Sequence, residues 1–196
     1  MNLSERNLRD LIAERIGMAT VGRVCGMVAE NDAMLAELYR LTKDDNRRVA
    51  TNALWVFTHL ATAGDAWLAS KRTELIDRVL QEGCDATRVR LMLTLLLRCE
   101  FLKDEVEAEF VDFCLEHTCA SSQPYAIRAL CMKLAYKQCC HYPELLAELK
   151  SILDVMAEEP LSAGLLSAHR QVMKRIKSAN RKKGISQICV NDTNID

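Results

Sequence analysis

Residues 49–57 read VATNALWVF, and their apolar spacing decides the fold. The apolar side chains stand at i, i+4, i+7 and i+8, which is one face of an α-helix. Residues 89–97, VRLMLTLLL, repeat the spacing 40 residues later, and residues 127–135, IRALCMKLA, repeat it 38 residues after that. A period in this range is typical of stacked helix pairs, in which each unit buries its apolar face only against its neighbours. The spacing is carried by Val49, Ala53, Val56 and Phe57, by Val89, Leu93, Leu96 and Leu97, and by Ile127, Cys131, Leu134 and Ala135.

A second mark, an acidic residue followed by an apolar one, recurs in the segments before these helices. Successive copies are 37, 38 and 36 residues apart and keep the same phase as the first spacing. Each repeat is therefore predicted to consist of a helix A, which carries the acidic mark, and a helix B, which carries the apolar spacing. The marks are Glu37-Leu38, Glu74-Leu75, Asp112-Phe113 and Glu148-Leu149.

Turn-forming residues separate the predicted helices. The turns between helices A and B are predicted at Asp44-Asp45-Asn46, Gly83-Cys84-Asp85 and the segment 121–124. The turns between repeats are predicted at Gly64-Asp65 and at 141–144. The tail lacks periodicity and is rich in polar residues, so we predict that it is disordered. The predicted layout is one repeat domain over 1–180, followed by the tail 181–196. The domain begins with an irregular capping pair at 3–30, whose helices cover about 3–17 and 20–30, and continues with repeats at 31–61, 65–99, 102–140 and 143–180.

The start of each helix B resembles HEAT and armadillo-type repeats, in which an Asp is followed by a Val and then an Arg. The segment 85–90, DATRVR, comes close to that pattern, and Ile127-Arg128 keeps half of it. Asp44 and Val49 keep the Asp and the Val but lack the Arg that follows. The resemblance implies an all-α, right-handed α-α superhelix of about five antiparallel helix pairs, with helices B lining the concave face.

The composition agrees with an all-helical protein of a reducing compartment. Hydrophobic residues make up 49% of the 196 residues, and only 7 Gly and 3 Pro interrupt them. The polar N-terminal segment and the short apolar runs predict neither a signal peptide nor a membrane span. The nine Cys form no CxxC pair and lie mostly in helical patterns, so we expect free thiols in a cytoplasmic protein.

The charge is divided between the two kinds of helix. The formal net charge of the chain is -1, but the helix A segments add up to -14 and the helix B segments to +14. With helices B on the concave face, the resemblance then implies a basic groove and an acidic back. The alternative is an ordinary solvated helical surface, because the last helix B contributes half of the positive charge and cations near a helix C-terminus offset the helix dipole.

Helical geometry indicates which side chains would face this groove. Residues six and nine positions after the core positions Val49, Val89, Ile127 and Leu165 lie on the opposite side of each helix B. They include Leu95 and Gln171, with Met132 flanking the stripe. A surface that mixes cations with aromatic rings suits an acidic peptide or a nucleic acid. The predicted groove residues are Trp55, Thr58, Arg98, Lys133, Tyr136, Arg170 and Lys174.

Signals for catalysis or metal binding are weak. Two groups of residues contain the residue types that bind zinc. The first is Cys114, His117 and Cys119, and the second is residues 139–141. They are predicted to lie at opposite ends of a helix pair, which favours core packing over a metal site. The chain contains no phosphate loop, nucleophile elbow or HExxH motif, and we expect no cofactor.

The resulting hypothesis is a non-enzymatic binding module or scaffold that holds an acidic protein or peptide in its groove. We expect no membrane or small-molecule partner. The alternative is a nucleic-acid binding protein that resembles the HEAT-like DNA alkylation-repair glycosylases, which hold duplex DNA in a basic groove with Trp and Asp at the lesion. The nearest residues here are Trp55, Asp65 and Trp67, although Gly64-Asp65 also fits a turn and Trp67 a packing role. Self-association through an apolar or acidic face is the remaining possibility.

Overall fold

The computed structural model describes residues 8–29, 31–61, 64–81, 85–158 and 160–191, with side chains as far as Ala179. The described residues form helices and turns without a strand, which confirms the predicted all-α fold. The chain divides into two compact units, Met1–Cys99 (unit 1) and Glu100–Asp196 (unit 2). Their boundary falls between two of the predicted regular repeats, 65–99 and 102–140. The prediction of one domain over 1–180 stays a prediction.

Unit 1 is built around helix α4, which packs against α2, α3 and α7, while α7 also packs against α6. Residues buried at the helix contacts include Val49, Ala53 and Leu96, as the apolar spacing predicts. Leu97 is the exception, because it stands at the C-terminal cap of α7 and is half-buried. The helices are α1 (Leu8–Leu11), α2 (Met18–Val28), α3 (Asp32–Leu41), α4 (Arg47–Thr58), α5 (Asp65–Ala69), α6 (Arg72–Gln81) and α7 (Ala86–Leu96).

Unit 2 consists of two helix pairs in two layers. Helices α8 and α10 pack against each other in one layer, α9 and α11 do so in the other, and α9 also packs against α8 and α10. The predicted core residues Ile127, Cys131, Leu134 and Ala135 are all buried in α9. The elements are a short 3-10 helix (Lys103–Glu105), α8 (Ala108–Cys119), α9 (Tyr125–Cys139), α10 (Pro143–Met156) and α11 (Ala163–Asn191).

Three element boundaries differ from the sequence-based predictions. The first described helix ends at Leu11, well before the predicted end of the first capping helix at about residue 17. Helix A of the predicted repeat 65–99 is divided into α5 and α6, because the Ser70 hydroxyl and amide both bond to the Trp67 carbonyl and close a turn there. Helix α11 continues to Asn191, past the predicted tail boundary at 181. Residues 192–196 lie outside the described residues.

The predicted turns contain the residues that begin the helices. Asn46 caps α4 by accepting a hydrogen bond from the Arg48 amide at 2.9 Å, and Asp85 caps α7 by accepting from the Thr87 amide at 3.1 Å. Pro143 occupies the first turn of α10, as predicted. Of the predicted turn 83–85, only Asp85 lies within the described residues.

Arginine side chains satisfy carbonyl groups at the C-terminal ends of helices. In unit 1, Arg78 donates to the Thr42 carbonyl at 2.9 Å, just beyond α3. In unit 2, the buried Arg128 donates to the carbonyls of Thr118 at 3.1 Å and Cys119 at 3.4 Å at the end of α8. The last carbonyls of a helix have no partner within it, so these guanidinium groups tie one helix to the next.

Two carboxyl groups that connect helices in unit 1 have lowered pKa values. The Arg9 Nε donates to Asp44 Oδ2 at 2.7 Å, and this hydrogen bond is the main cause of the lowered pKa of Asp44. For Asp85, burial alone would raise the pKa, but hydrogen bonds from Arg47 and from the capped amides outweigh burial and lower it. Both groups are therefore stabilised as carboxylates in the folded protein.

We therefore expect unit 1 to lose stability in acid through these two groups. A carboxyl group with a lowered folded-state pKa stabilises the fold above its unfolded pKa of about 3.9, and the contribution disappears as the pH falls through the folded pKa. The Asp44→Asn/Asp85→Asn variant should melt below the wild type at neutral pH, and this difference should shrink as the pH falls below about 3.9. Circular dichroism melts across this range measure the difference. Melting temperatures that fall in parallel for the two proteins would contradict the assignment.

Candidate binding surface

Two predicted groove residues of α4 in unit 1, Trp55 and Thr58, make contacts with neighbouring residues of the same segment. Trp55 is half-buried, and its ring meets the ring of His59 edge-on at 5.7 Å between centroids. The hydroxyl group of Thr58 donates to the Trp55 carbonyl at 2.7 Å. Trp55 therefore keeps a partly exposed ring, while the Thr58 hydroxyl donates its proton within the helix.

Arg98, another predicted groove residue, connects parts of unit 1. Its Nε donates to Asp65 Oδ1 at 2.8 Å, and a second nitrogen bonds to the same carboxylate. The guanidinium group also donates to the carbonyls of Phe57 at 3.1 Å and Ala61 at 3.3 Å. The charge is neutralised by Asp65, and most of the donors are occupied.

The prediction that Leu95 faces the groove and that Met132 flanks it is wrong. Both side chains are fully buried, although helical geometry places them on the side opposite the core positions. The reason is that α7 packs on two sides, against α4 and α6, and α9 packs against three helices. A helix surrounded by neighbours buries apolar residues on more than one face, so a single-face pattern misplaces them.

Trp67 is a packing residue, as the simpler of the two interpretations predicted. Its ring stacks on Phe57 at 5.9 Å and meets Tyr39 edge-on at 5.2 Å. The ammonium group of Lys71 lies 5.5 Å from the centroid of the Trp67 ring. Asp65 is bound by Arg98, so the two residues nearest to a glycosylase-like Trp-Asp pair both have structural contacts here.

In unit 2, three predicted groove residues lie around two shallow hollows on α9 and α11. The Arg175 guanidinium group lies 5.9 Å from the centroid of the Tyr136 ring, within the distance of a cation–π contact. Burial is the main reason that the pKa of Tyr136 is raised, so its phenol stays protonated. The first hollow, of about 550 Å³, is lined by Tyr136, Gln171, Lys174, Arg175, Ser178 and Ala179, and the second, of about 470 Å³, by His169, Arg170, Met173, Lys174, Lys177 and Ser178. We call the surface formed by these residues the α9–α11 surface.

The charges of unit 2 are separated by layer. Helices α9 and α11 contain no Asp or Glu, whereas α8 contains no Lys or Arg. Within the described part of the chain, no ion pair involves Lys133, Arg170, Lys174 or Lys177. The α9–α11 surface therefore carries cations that have no ion-pair partner among the described residues.

The structure brings together Tyr136, Arg170 and Lys174 among the predicted groove residues. Lys133 precedes Tyr136 by three residues on α9 and so lies near the same helical face, but it lines neither hollow. Sequence reasoning missed Arg175 as a neighbour of Tyr136, although its place beside Lys174 in a basic run was a signal. The continuation of the groove into unit 1, at Trp55, Thr58 and Arg98, stays a prediction.

The model of a HEAT repeat domain matches residues 8–176, which is most of the chain. This chain belongs to the HEAT repeat domain family. The match confirms the predicted HEAT-like superfamily and the helical-repeat fold. Among curated proteins and among solved structures, nothing matches the chain. A HEAT repeat domain is a helical-repeat scaffold of a kind that often mediates protein interactions.

The zinc-ligand residue types of this HEAT repeat domain have other contacts. Cys114 and Cys139 are fully buried in unit 2, as core packing predicts, whereas Cys140 is half-buried and Cys119 is exposed. Burial is the main reason that the pKa of Cys139 rises to about 12, so its thiol stays protonated at neutral pH. The His117 ring stacks on a phenylalanine ring at 3.8 Å, and His141 donates to the carbonyl of residue 101 at 2.7 Å. Among the described residues, no group of His, Cys, Asp and Glu could hold a metal ion, and no helix is long and apolar enough to cross a membrane.

Proposed function

We propose that this HEAT repeat domain is a binding scaffold whose α9–α11 surface holds an acidic protein or peptide. The observation that carries the proposal is the set of unpaired cations on two helices without acidic residues. In unit 1, by contrast, Arg9, Arg47 and Arg98 each pair with a carboxylate more than 30 residues away in the chain. The cations of the α9–α11 surface have no such partner in the described chain, and an acidic partner would supply one.

Tyr136 gives this surface an anchor besides its charge. Its ring is half-buried between the helices and lies under Arg175, so it offers a fixed apolar contact with a polar tip. Interfaces draw most of their binding energy from aromatic and arginine side chains near their centre, with charges around them that speed association and select the partner. An acidic segment with one apolar side chain would match this arrangement.

Nucleic acid is the competing ligand, and the side chains around the hollows favour it less. Single strands are held by bases that stack on successive exposed aromatic rings. Within the described residues, Tyr136 is the only Phe, Tyr or Trp side chain that lines either hollow. Nucleic acid is tested beside the acidic peptide in the binding experiment.

The experiment measures binding of a fluorescein-labelled 14-residue peptide of Glu and Asp with one central Leu by fluorescence anisotropy. Arg170→Glu/Lys174→Glu should weaken binding about 30-fold or more, because two attractive contacts become repulsive. The matched control is Arg15→Glu/Arg23→Glu, which changes the net charge equally at exposed positions of α2 and the segment before it. The control should bind within about twofold of the wild type, since neither substituted residue belongs to the α9–α11 surface.

Single-stranded and duplex DNA and RNA are titrated in parallel at two salt concentrations. Tighter binding of a nucleic acid than of the peptide, with a steep linear loss of affinity with the logarithm of salt, would replace the proposed partner. Equal weakening by the control variant would show that binding depends on net charge alone, and the proposed surface would then be wrong.

A further inference from the structure

The opposite layer of unit 2 contains a hollow of different character. It lies where the N-terminal parts of α8 and α10 meet the connection that precedes α8, and its volume is about 290 Å³. Val111, which is 2% exposed, is buried beneath it, and Leu145 is half-buried at its side. The lining residues are Val106, Ala108, Val111, Asp112, Tyr142, Glu144 and Leu145, and we call them the α8–α10 hollow.

One wall of the α8–α10 hollow is held in place by the chain itself. The Tyr142 hydroxyl donates to the Lys103 carbonyl at 2.9 Å, which fixes the phenol ring against the 3-10 helix. The ammonium group of Lys103 lies 5.7 Å from the centre of the same ring. A wall fixed in this way loses little conformational entropy when a ligand binds to it, so the hollow is preorganised.

Exposed carboxylates surround this apolar floor. Asp112 and Glu144 line the hollow, and Glu109 and Glu148 stand on the same two helices. In the part of the chain that the structure describes, none of these four carboxylates forms an ion pair. Lys103 is the nearest cation of the wall, so the rim keeps a negative charge.

The helix dipole accounts for only part of this acidity. Acidic residues stabilise the first turn of a helix, which explains Glu109 in α8 and Glu144 in α10. Asp112 and Glu148 lie beyond the first turn, where the dipole gives them little stabilisation. Both carboxylates are exposed, so they are accessible to a cationic partner.

We propose that the α8–α10 hollow docks a cationic segment of a partner protein, which places one apolar side chain on the floor and Lys or Arg beside Asp112 and Glu144. Charge complementarity selects a basic segment, and the volume of the hollow, about 290 Å³, limits the apolar contact to a single anchor. The inference does not depend on the ligand of the α9–α11 surface. It makes unit 2 a two-sided adaptor that holds an acidic partner on one layer and a basic one on the other.

The experiment uses the full chain and a labelled 12-residue probe peptide of Lys and Ser with one central Leu. Binding is measured by fluorescence anisotropy at low and at moderate salt. The Asp112→Lys/Glu144→Lys variant should bind the probe at least about tenfold more weakly. The matched control, Asp77→Lys/Glu158→Lys, has the same net charge at exposed positions outside the hollow and should bind within about twofold of the wild type. The probe in which Ser replaces the central Leu should bind about fivefold more weakly or worse, since it lacks the anchor.

Four outcomes would overturn the proposal. They are failure of the wild type to bind the probe, equal weakening by the control variant, equal binding of the probe without Leu, and a dimer in light scattering that the Asp112→Lys/Glu144→Lys variant dissociates. In the last case the occupant would be a second copy of the chain. Helicity measured by circular dichroism verifies folding, and Asp112→Asn/Glu144→Gln replaces the charge-reversed variant if that one does not fold. The acidic probe peptide of the α9–α11 surface serves as a separate control, because its binding should persist in both variants that change Asp112 and Glu144.

Discussion

Substitution of Leu96 by Asp is expected to unfold unit 1. Leu96 has no exposed surface and lies in α7, which packs on both α4 and α6. An unpaired carboxylate at this position must be buried without a counter-charge or protonated, at a cost of about 4 kcal/mol or more. A domain of this size is stable by roughly 5–15 kcal/mol, so the loss removes a large share of the free energy of unfolding, and nearly all of it at the lower end of that range. Circular dichroism melts and limited proteolysis measure the effect.

The matched control for this substitution is Thr94→Asp on the same helix. Thr94 is partly exposed, and its hydroxyl bonds only to the Arg90 carbonyl one turn earlier, at 2.8 Å. Thr and Asp have similar helix propensities, so the control introduces the same charge at a cost of about 1 kcal/mol or less. Similar losses of stability in the two variants would mean that α7 does not pack as described.

Replacement of Arg98 by Met should lower the free energy of unfolding of unit 1 by about 2–3 kcal/mol. The substitution leaves the Asp65 carboxylate without its cation. It also removes the charged donor from the carbonyls of Phe57 and Ala61, which keep only backbone amide donors. Partly buried groups that lose a charged hydrogen-bond donor cost about 1–3 kcal/mol. Denaturant titration of Arg98→Met, Asp65→Asn and the double variant gives the coupling energy between the two side chains.

Arg98→Lys is the conservative control for this prediction. Lysine keeps the charge but lacks the planar fork, so it should recover the ion pair with Asp65 and only part of the carbonyl bonding. Binding of the acidic probe peptide should stay within about twofold of the wild type in both Arg98 variants if the arginine acts only in folding. Loss of peptide binding with unchanged stability would instead support the prediction that Arg98 contacts the partner in the groove.

The parts of the fold that local physics controls were accessible from sequence. The apolar spacing predicted the buried positions Val49, Val89 and Ile127, because a helix that packs on one side must repeat its contacts every 3.6 residues. The turn residues Asn46 and Asp85 were located for a similar reason, since helix N-termini leave unpaired amides that short polar side chains satisfy.

The parts that depend on neighbouring helices were not accessible. Arg98 and Arg128 look like solvent-facing cations in sequence, yet the ends of other helices use their donors. Leu95 and Met132 were misplaced because the number of helices around α7 and α9 cannot be read from either helix alone. The α8–α10 hollow combines residues from three elements, and no periodicity marks such a meeting point.

Both tryptophans of the chain, Trp55 and Trp67, lie in unit 1, and unit 2 contains none. Fluorescence can be excited at a wavelength that only the indole ring absorbs. This emission therefore depends on the surroundings of α4 and α5 and does not report on α8 to α11. Trp67 in particular leaves a stack with Phe57 when it is released into water, so its spectrum should shift to the red as unit 1 opens. Indole fluorescence compared with the helical signal of the whole chain distinguishes one concerted transition from two successive ones, without an engineered probe.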